Sequence, residues 1–176
     1  MAVIGGDAVG KRSFVHRSAF DPVSDRFVAT LGAKVSKKEI VLPMRLRDGT
    51  FIDLILWTVN PRALTRRESA LVRGTAAILA VCDAIRAQTL EELDGLMRTV
   101  REAAADAPAV IAVNKWDLSA ERQIQPDDAL GFAKAHEAEC FFTSATTGEN
   151  VEAAFQALGE QIVRHRREKA QDMEKG

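Results

Sequence analysis

Residues 5–11 of the chain have the sequence Gly-Gly-Asp-Ala-Val-Gly-Lys, which fits the pattern G-x-x-x-x-G-K. The stretch follows a short apolar run at residues 1–4 and precedes a helical pattern, which is where such a loop belongs. Its backbone N–H groups and the N-terminus of the following helix are suited to cradle phosphates, and Lys11 is suited to neutralise β- and γ-phosphate charge. The alternative interpretation is a glycine-rich turn beside a surface lysine.

The position after Lys11 departs from this pattern. Serine or threonine normally brings a hydroxyl to Mg²⁺ there, whereas this chain has Arg12. A guanidinium donates hydrogen bonds but has no lone pair to offer a metal. Ser13 comes one residue late, so its side chain points elsewhere on a helix. The sequence therefore predicts that normal Mg²⁺ coordination is lost.

Composition restricts the class of protein. The chain has 176 residues, 47% hydrophobic and 28% charged, which is typical of one soluble globular domain. Its formal net charge of −1 gives no reason to expect a nucleic-acid partner. Cys82 and Cys140 lie in apolar runs without metal-ligand spacing, which predicts buried, reduced thiols and a cytoplasmic protein. No run is long enough for a membrane span and no C-terminal prenylation box is present, so we expect no membrane anchor.

Short apolar runs alternate with helical patterns along almost the whole chain, which predicts a layered α/β domain. Residues 76–82 and 110–113 are continuous apolar runs, typical of strands buried on both faces of a parallel sheet. Residues 35–47 and 51–57 are instead separated by Asp48-Gly49, a favoured dipeptide for a tight hairpin turn. We therefore expect one antiparallel edge strand on an otherwise parallel sheet.

Two helices and the limits of the domain can also be predicted. Apolar residues recur at helical spacing in two segments, Leu90, Leu93, Met97 and Val100, then Val151, Ala154, Phe155, Leu158 and Ile162. We expect one domain over residues 1–168 and a frayed tail at 169–176. Only four residues precede Gly5, whereas a usual strand has about five or six residues. Either the sheet tolerates a short first strand or the natural chain begins earlier.

A second motif makes the interpretation specific. Residues 110–117 form an apolar strand ending in Asn114-Lys115-Trp116-Asp117, which resembles the N-K-x-D base-recognition motif of Ras-superfamily small GTPases. The resemblance implies that the Asp117 carboxylate accepts hydrogen bonds from the ring N–H and the exocyclic amine of guanine. Residues 142–151 resemble the second guanine motif of the family. The Ala145 amide would then meet the guanine O6, with Thr146 where lysine is common.

The resemblance covers nearly the whole chain. Residues 27–36 are similar to the first switch of Rab- and Ran-like members, and residues 78–83 match a further family strand. The implied fold is the three-layer P-loop GTPase fold (G domain), with a mostly parallel six-stranded sheet, one antiparallel edge strand and helices on both faces. The implied ligand is GDP or GTP. The implied contacts are Asp7, Ala8, Val9, Gly10, Lys11, Arg12, Ser13, Thr30, Asn114, Lys115, Asp117, Ser144, Ala145 and Thr146.

The second switch of the family is altered. Aligned on Trp57, the aspartate that supports Mg²⁺ becomes Thr58, and the glycine whose amide senses the γ-phosphate becomes Pro61, which has no N–H. The glutamine that orients the attacking water becomes Arg62, at a position that normally carries much of the hydrolytic rate. These changes leave no residue that we assign as catalytic or as a metal ligand.

Two further departures affect the ligand. Asp7 replaces a glycine of the phosphate loop, and a like charge about 4 Å from a γ-phosphate costs about 1 kcal/mol in water and several times more at lower dielectric. The aromatic residue that usually stacks on guanine becomes Val23, although Phe20 could take its place by a shift of the loop. The first change lies at the terminal-phosphate end, and the second weakens the base end.

Three hypotheses follow. The first is a guanine-nucleotide-binding regulatory protein or scaffold, with an unidentified protein partner and with very slow or absent GTP hydrolysis. The second is a pseudo-GTPase that binds no nucleotide and keeps the fold as an interaction module. The third is an active GTPase with rewired catalysis, in which Arg62 acts as an internal arginine finger and Thr30 reaches Mg²⁺.

Overall fold

The fold is a six-stranded sheet with helices on both faces. The computed structural model describes residues 1–18, 39–59 and 72–174. The strand order is β2-β3-β1-β4-β5-β6, and every pairing is parallel except β2 with β3. The elements are β1 Ala2–Ile4, α1 Lys11–Ser18, β2 Glu39–Arg45, β3 Phe51–Thr58, β4 Ile78–Asp83, α2 Gln88–Ala103, β5 Ala109–Asn114, a 3₁₀ turn Ser119–Glu121, α3 Pro126–Ala135, β6 Glu139–Phe142 and α4 Val151–Glu174. This confirms the predicted three-layer P-loop GTPase fold.

The centre of the sheet is apolar on both faces. Every residue of β1, β4 and β5 is buried, as expected for strands covered by helices on either side. Strand β1 has only three residues, yet it pairs with β3 on one side and β4 on the other. The sheet therefore accommodates a short central strand, since both of its edges are hydrogen-bonded.

The antiparallel edge strand is confirmed. In the hairpin Arg45 pairs with Phe51, and the turn between them contains Gly49 at φ 87°. The Asp48 carboxylate accepts a hydrogen bond from the Thr50 N–H at 2.9 Å, which closes the turn locally. Strand β2 begins at Glu39, so the first four residues of the predicted run, 35–38, lie outside the described part of the chain.

Helices cover each face of the sheet in pairs, and the sheet separates two apolar clusters. On one face the core includes Phe14 of α1 and Phe155 of α4, whose ring centroids lie 5.5 Å apart. On the other face Leu93 and Met97 of α2, with Ala129 of α3, pack on alternate strand residues. The predicted apolar positions of α4 are all buried, and those of α2 are buried except for half-buried Leu90. Both predicted helical patterns are thus confirmed.

The chain ends and the cysteines complete the description. Helix α4 continues through Glu174 and is exposed from Arg166 onward, so regular structure extends into residues 169–174, within the segment predicted as a frayed tail. Neither cysteine is in a disulfide. Burial raises the pKa of the Cys82 thiol to about 12 and that of the Cys140 thiol to about 11. Cys82 is buried as predicted, whereas Cys140 is only half-buried because β6 is an edge strand. Among the described residues, no helix is long and apolar enough to cross a bilayer.

Candidate nucleotide-binding site

The motifs predicted from the sequence meet at one edge of the sheet. The phosphate loop follows β1, Asp83 ends β4, Asn114 ends β5, and residues 143–148 follow β6. The carboxyl ends of parallel strands share an edge, which is where open α/β sheets bind their ligands. The structure therefore brings the candidate phosphate-binding and base-binding segments together.

The phosphate loop is held in shape by its own lysine. Lys11 is the first residue of α1, and its Nζ donates hydrogen bonds to the carbonyl oxygens of Gly5 at 2.8 Å and Gly6 at 2.5 Å. Burial lowers the pKa of Lys11, and the nearby negative charge of Asp7 opposes that shift. Ala8 has a left-handed backbone at φ 58°, an uncommon conformation for a residue with a Cβ. The loop is thus a compact turn with a half-buried cation inside it.

Asn114 connects the phosphate loop to the candidate guanine loop, which is the segment of residues 143–148 that follows β6. Its side chain is 1% exposed; Nδ2 donates to the Val9 carbonyl at 2.9 Å, and Oδ1 accepts from the Ala145 N–H at 3.0 Å. The approach is so close that a Cβ on Gly10 would lie 2.3 Å from Asn114 Nδ2. The Ala145 amide, which was expected to meet the guanine O6, is therefore already used within the protein. A bound guanine would have to share it.

Asp117 differs from the rest of its motif. Its side chain is exposed, and within residues 1–18, 39–59 and 72–174 its carboxylate has no hydrogen-bond or ion-pair partner. The preceding Trp116 packs beside Phe142, with ring centroids 4.2 Å apart, and under the guanidinium of Arg122. Trp116 is thus a packing residue, and within the described part of the chain the Asp117 carboxylate is left available to a ligand.

The loop after β6 is built around Ser144. Ser144 is fully buried, and its Oγ accepts the Thr147 N–H at 3.0 Å. Arg17 of α1 donates to the Thr147 carbonyl at 2.8 Å, so this loop is anchored to the helix that follows the phosphate loop. Thr146 is exposed, and its side chain makes no hydrogen bond to the described residues. No sequence pattern predicted the Arg17 contact, which joins residues 130 positions apart.

A second set of contacts missed from the sequence surrounds Asp83. This carboxylate is 0% exposed, and its Oδ2 accepts from Lys115 Nζ at 2.6 Å and from Arg86 Nε at 2.8 Å. Arg86 also donates to the Asp7 carbonyl of the phosphate loop at 2.9 Å. The available signal was a single acidic residue at the end of an apolar strand, at the edge where the motifs meet. Lys115 is therefore engaged by Asp83 in this structure.

The metal end contrasts with this arrangement. Arg12 and Ser13 are exposed on the first turn of α1, and Thr58 is exposed at the end of β3. Arg12 and Thr58, at the two positions that serve Mg²⁺ in the family, thus supply a guanidinium and a neutral hydroxyl, without a carboxylate. Among the described residues no three His, Cys, Asp or Glu side chains are grouped as metal ligands. This donor set does not fit Mg²⁺, which prefers anionic oxygen ligands.

Several predicted residues lie outside the described part of the chain. They belong to the two switch segments and to the expected base-stacking position: Phe20, Val23, Thr30, Pro61 and Arg62.

A strand, a glycine-rich loop and a helix bearing Lys11, together with an N-K-x-D segment on a neighbouring strand, define a P-loop nucleotide-binding G domain. Comparison with known proteins agrees: the Ras family sequence model matches residues 1–164, and the chain belongs to that family.

Rab proteins are among the similar proteins. The chain is 27% identical over 165 residues to the Ras-related protein Rab-13 of Canis lupus familiaris, covering 93% of this chain and 79% of that protein. It is 27% identical to Rab-8B of Homo sapiens, covering 93% and 77%, and 29% identical to Rab-26 of Drosophila melanogaster, covering 91% and 41%. The chain is therefore a Rab-like small GTPase-type regulator of the class that binds guanine nucleotides.

Proposed function

We propose that this chain binds GDP or GTP with little dependence on Mg²⁺, hydrolyses GTP very slowly or not at all, and acts through a protein partner. The observation that carries the proposal is the state of Asp117, an exposed carboxylate without a partner in the described protein, beside a fully assembled Asn114 bridge. A carboxylate there can accept hydrogen bonds from two N–H groups on one edge of guanine. Adenine does not present this pair of donors.

The phosphate side supports the metal-independent part of the proposal. Lys11 and the helix N-terminus supply positive potential for the phosphates without a metal. Arg12, exposed on the same turn, adds a guanidinium that can bind a phosphate through two hydrogen bonds. Thr58 replaces the carboxylate that would support Mg²⁺, which favours binding over hydrolysis.

The test is calorimetric titration with GDP and with GTP, each with Mg²⁺ and with EDTA. We expect both nucleotides to bind and EDTA to change the affinity less than about 2-fold, a difference of about 0.4 kcal/mol. Loss of binding in EDTA contradicts a metal-independent site. Steady-state phosphate release should not exceed that of a Lys11→Ala variant, and release well above that control would favour the active, rewired enzyme.

A second function, an interaction module that binds no nucleotide, is favoured by one observation. Lys11 already donates to the carbonyl oxygens of Gly5 and Gly6, so the loop satisfies its half-buried ammonium without a phosphate. The nucleotide content of the purified protein separates the two functions. Co-purified GDP, or a rise in melting temperature with added GDP, supports binding; the absence of both supports the interaction module.

A further inference from the structure

We propose that Arg86 is a positioning residue that orients the phosphate-binding loop and joins it, through Asp83, to the base-recognition lysine. The ligand readout of this inference rests on the proposed function, since it uses guanine nucleotides. The contacts themselves do not require a ligand.

The Arg86 guanidinium connects two parts of the site. Its Nη2 donates to the Asp7 carbonyl at 2.9 Å, and its Nε donates to Asp83 Oδ2 at 2.8 Å. The same carboxylate oxygen accepts from Lys115 Nζ at 2.6 Å. A continuous set of charge-assisted hydrogen bonds thus runs from the phosphate loop to the N-K-x-D segment.

Asp83 makes this connection rigid. A fully buried carboxylate must be paired and hydrogen-bonded, because its desolvation is otherwise costly. Its second oxygen, Oδ1, accepts the Ile85 N–H at 3.2 Å, so the carboxylate is fixed by groups on both sides. The Arg86 side chain is 43% exposed, and removing it leaves Asp83 paired with Lys115. Loss of Arg86 is therefore separable from loss of the fold.

The contact with Asp7 has a direct consequence for phosphate binding. The Asp7–Ala8 peptide is planar and trans. Fixing the Asp7 C=O therefore also fixes the Ala8 N–H, which points in the opposite direction within the same plane. Successive N–H groups of such a loop form the concavity that receives phosphate. Arg86 holds the carbonyl of the Asp7–Ala8 peptide, and Asn114 holds the carbonyl of the Val9–Gly10 peptide, so the loop is tied before left-handed Ala8 and again one peptide group beyond it.

The test compares Arg86→Met, which keeps an unbranched apolar stem, with Arg86→Lys, which keeps the charge. Arg98→Met is the matched control, because Arg98 is an exposed arginine of α2 with a 2.8 Å ion pair to Asp94 away from the loop. Affinities for GDP and for GMP, which lacks the β-phosphate, are measured by calorimetry. Arg86→Met should weaken GDP about 10-fold more than GMP, with partial recovery in Arg86→Lys, while Arg98→Met leaves the ratio unchanged.

A ligand-free measurement keeps the two proposals apart. Backbone amide relaxation of residues 6–10 should show increased motion on the nanosecond scale in Arg86→Met and not in Arg98→Met. If the original chain binds no GDP, the proposed function fails, and the relaxation result alone decides the role of Arg86. Unchanged loop motion, or an equal loss of GDP and GMP affinity, overturns the positioning role.

Discussion

The base end and the metal end of the site differ in how far their residues belong to the fold. At the base end Asn114 and Ser144 are buried and hydrogen-bonded inside the protein. At the metal end Arg12, Ser13 and Thr58 are exposed. Substitutions at the exposed positions cost the fold little, whereas Asn114 is required to hold two loops together. The presence of Asn114 is thus explained by folding alone, and Asp117 is the better indicator of a ligand.

The largest effect should come from removing the bridge. Asn114→Ala leaves the Val9 carbonyl and the Ala145 N–H without their partner, which we expect to cost about 3 kcal/mol of unfolding free energy, or about 10 °C in melting temperature. The control Thr58→Val keeps the shape of an exposed side chain and should change stability by less than about 0.5 kcal/mol. Urea denaturation of both variants measures this, and equal stabilities would refute the contrast between the two ends.

A change at Asp117 should affect the ligand and not the fold. Asp117→Asn replaces a charged double acceptor by an amide, so GDP affinity should fall about 100-fold, the size of a charged hydrogen bond or two. Xanthosine diphosphate, which has a carbonyl in place of the exocyclic amine, should gain affinity because the amide can donate to it. The melting temperature of the nucleotide-free protein should stay unchanged, since the carboxylate has no partner in the described protein.

Competition between GDP and xanthosine diphosphate on the same preparations gives the measurement for Asp117. A variant that keeps its preference for GDP would show that Asp117 does not contact the base. A variant that melts several degrees lower would show that the side chain has a structural partner in the folded protein.

Restoring the metal end should change the ion dependence. Arg12→Ser supplies a hydroxyl and Thr58→Asp a carboxylate, and together they recreate the two ligands that the altered motifs lack. We expect EDTA to weaken GDP binding by the double variant about 10-fold, or about 1.4 kcal/mol, and to have little effect on the original chain. Each single variant supplies one ligand and should respond less. A strong EDTA effect on the original chain would remove the difference between the two ends.

The sequence was a good guide to the fold and to the edge at which the motifs meet. The continuous apolar runs of β4 and β5 leave no exposed face, and the dipeptide Asp48-Gly49 fixes the hairpin, so strand pairing followed from local signals. Burial of Cys140 was overestimated because an apolar run does not show whether its strand lies at the edge of the sheet.

The contacts inside the site were beyond the reach of the sequence. The Lys115–Asp83 pair joins residues 32 positions apart, and the Arg86–Asp7 contact joins residues 79 apart. Both depend on which rotamer a long cationic side chain adopts, which motif spacing does not determine. Motif spacing places Lys115 at the sheet edge, but only the packed structure decides that a buried carboxylate, and not the loop, receives its ammonium.

The smallest expected effect concerns Lys11 and pH. Burial lowers the pKa of Lys11 in the folded chain below 10.5, so with rising pH the folded protein loses this proton before the unfolded chain does. The unfolded state then binds more protons, and stability rises with pH between the lowered pKa and 10.5. Relative to Lys11→Met, the nucleotide-free protein should therefore gain stability as the pH rises toward 10.5. Lys134→Met, at an exposed lysine of α3, is the control for general effects of alkaline pH. Urea unfolding at several pH values measures the difference in unfolding free energy between the original chain and Lys11→Met. If that difference shrinks as the pH rises, the loop carbonyls stabilise the ammonium better than water does.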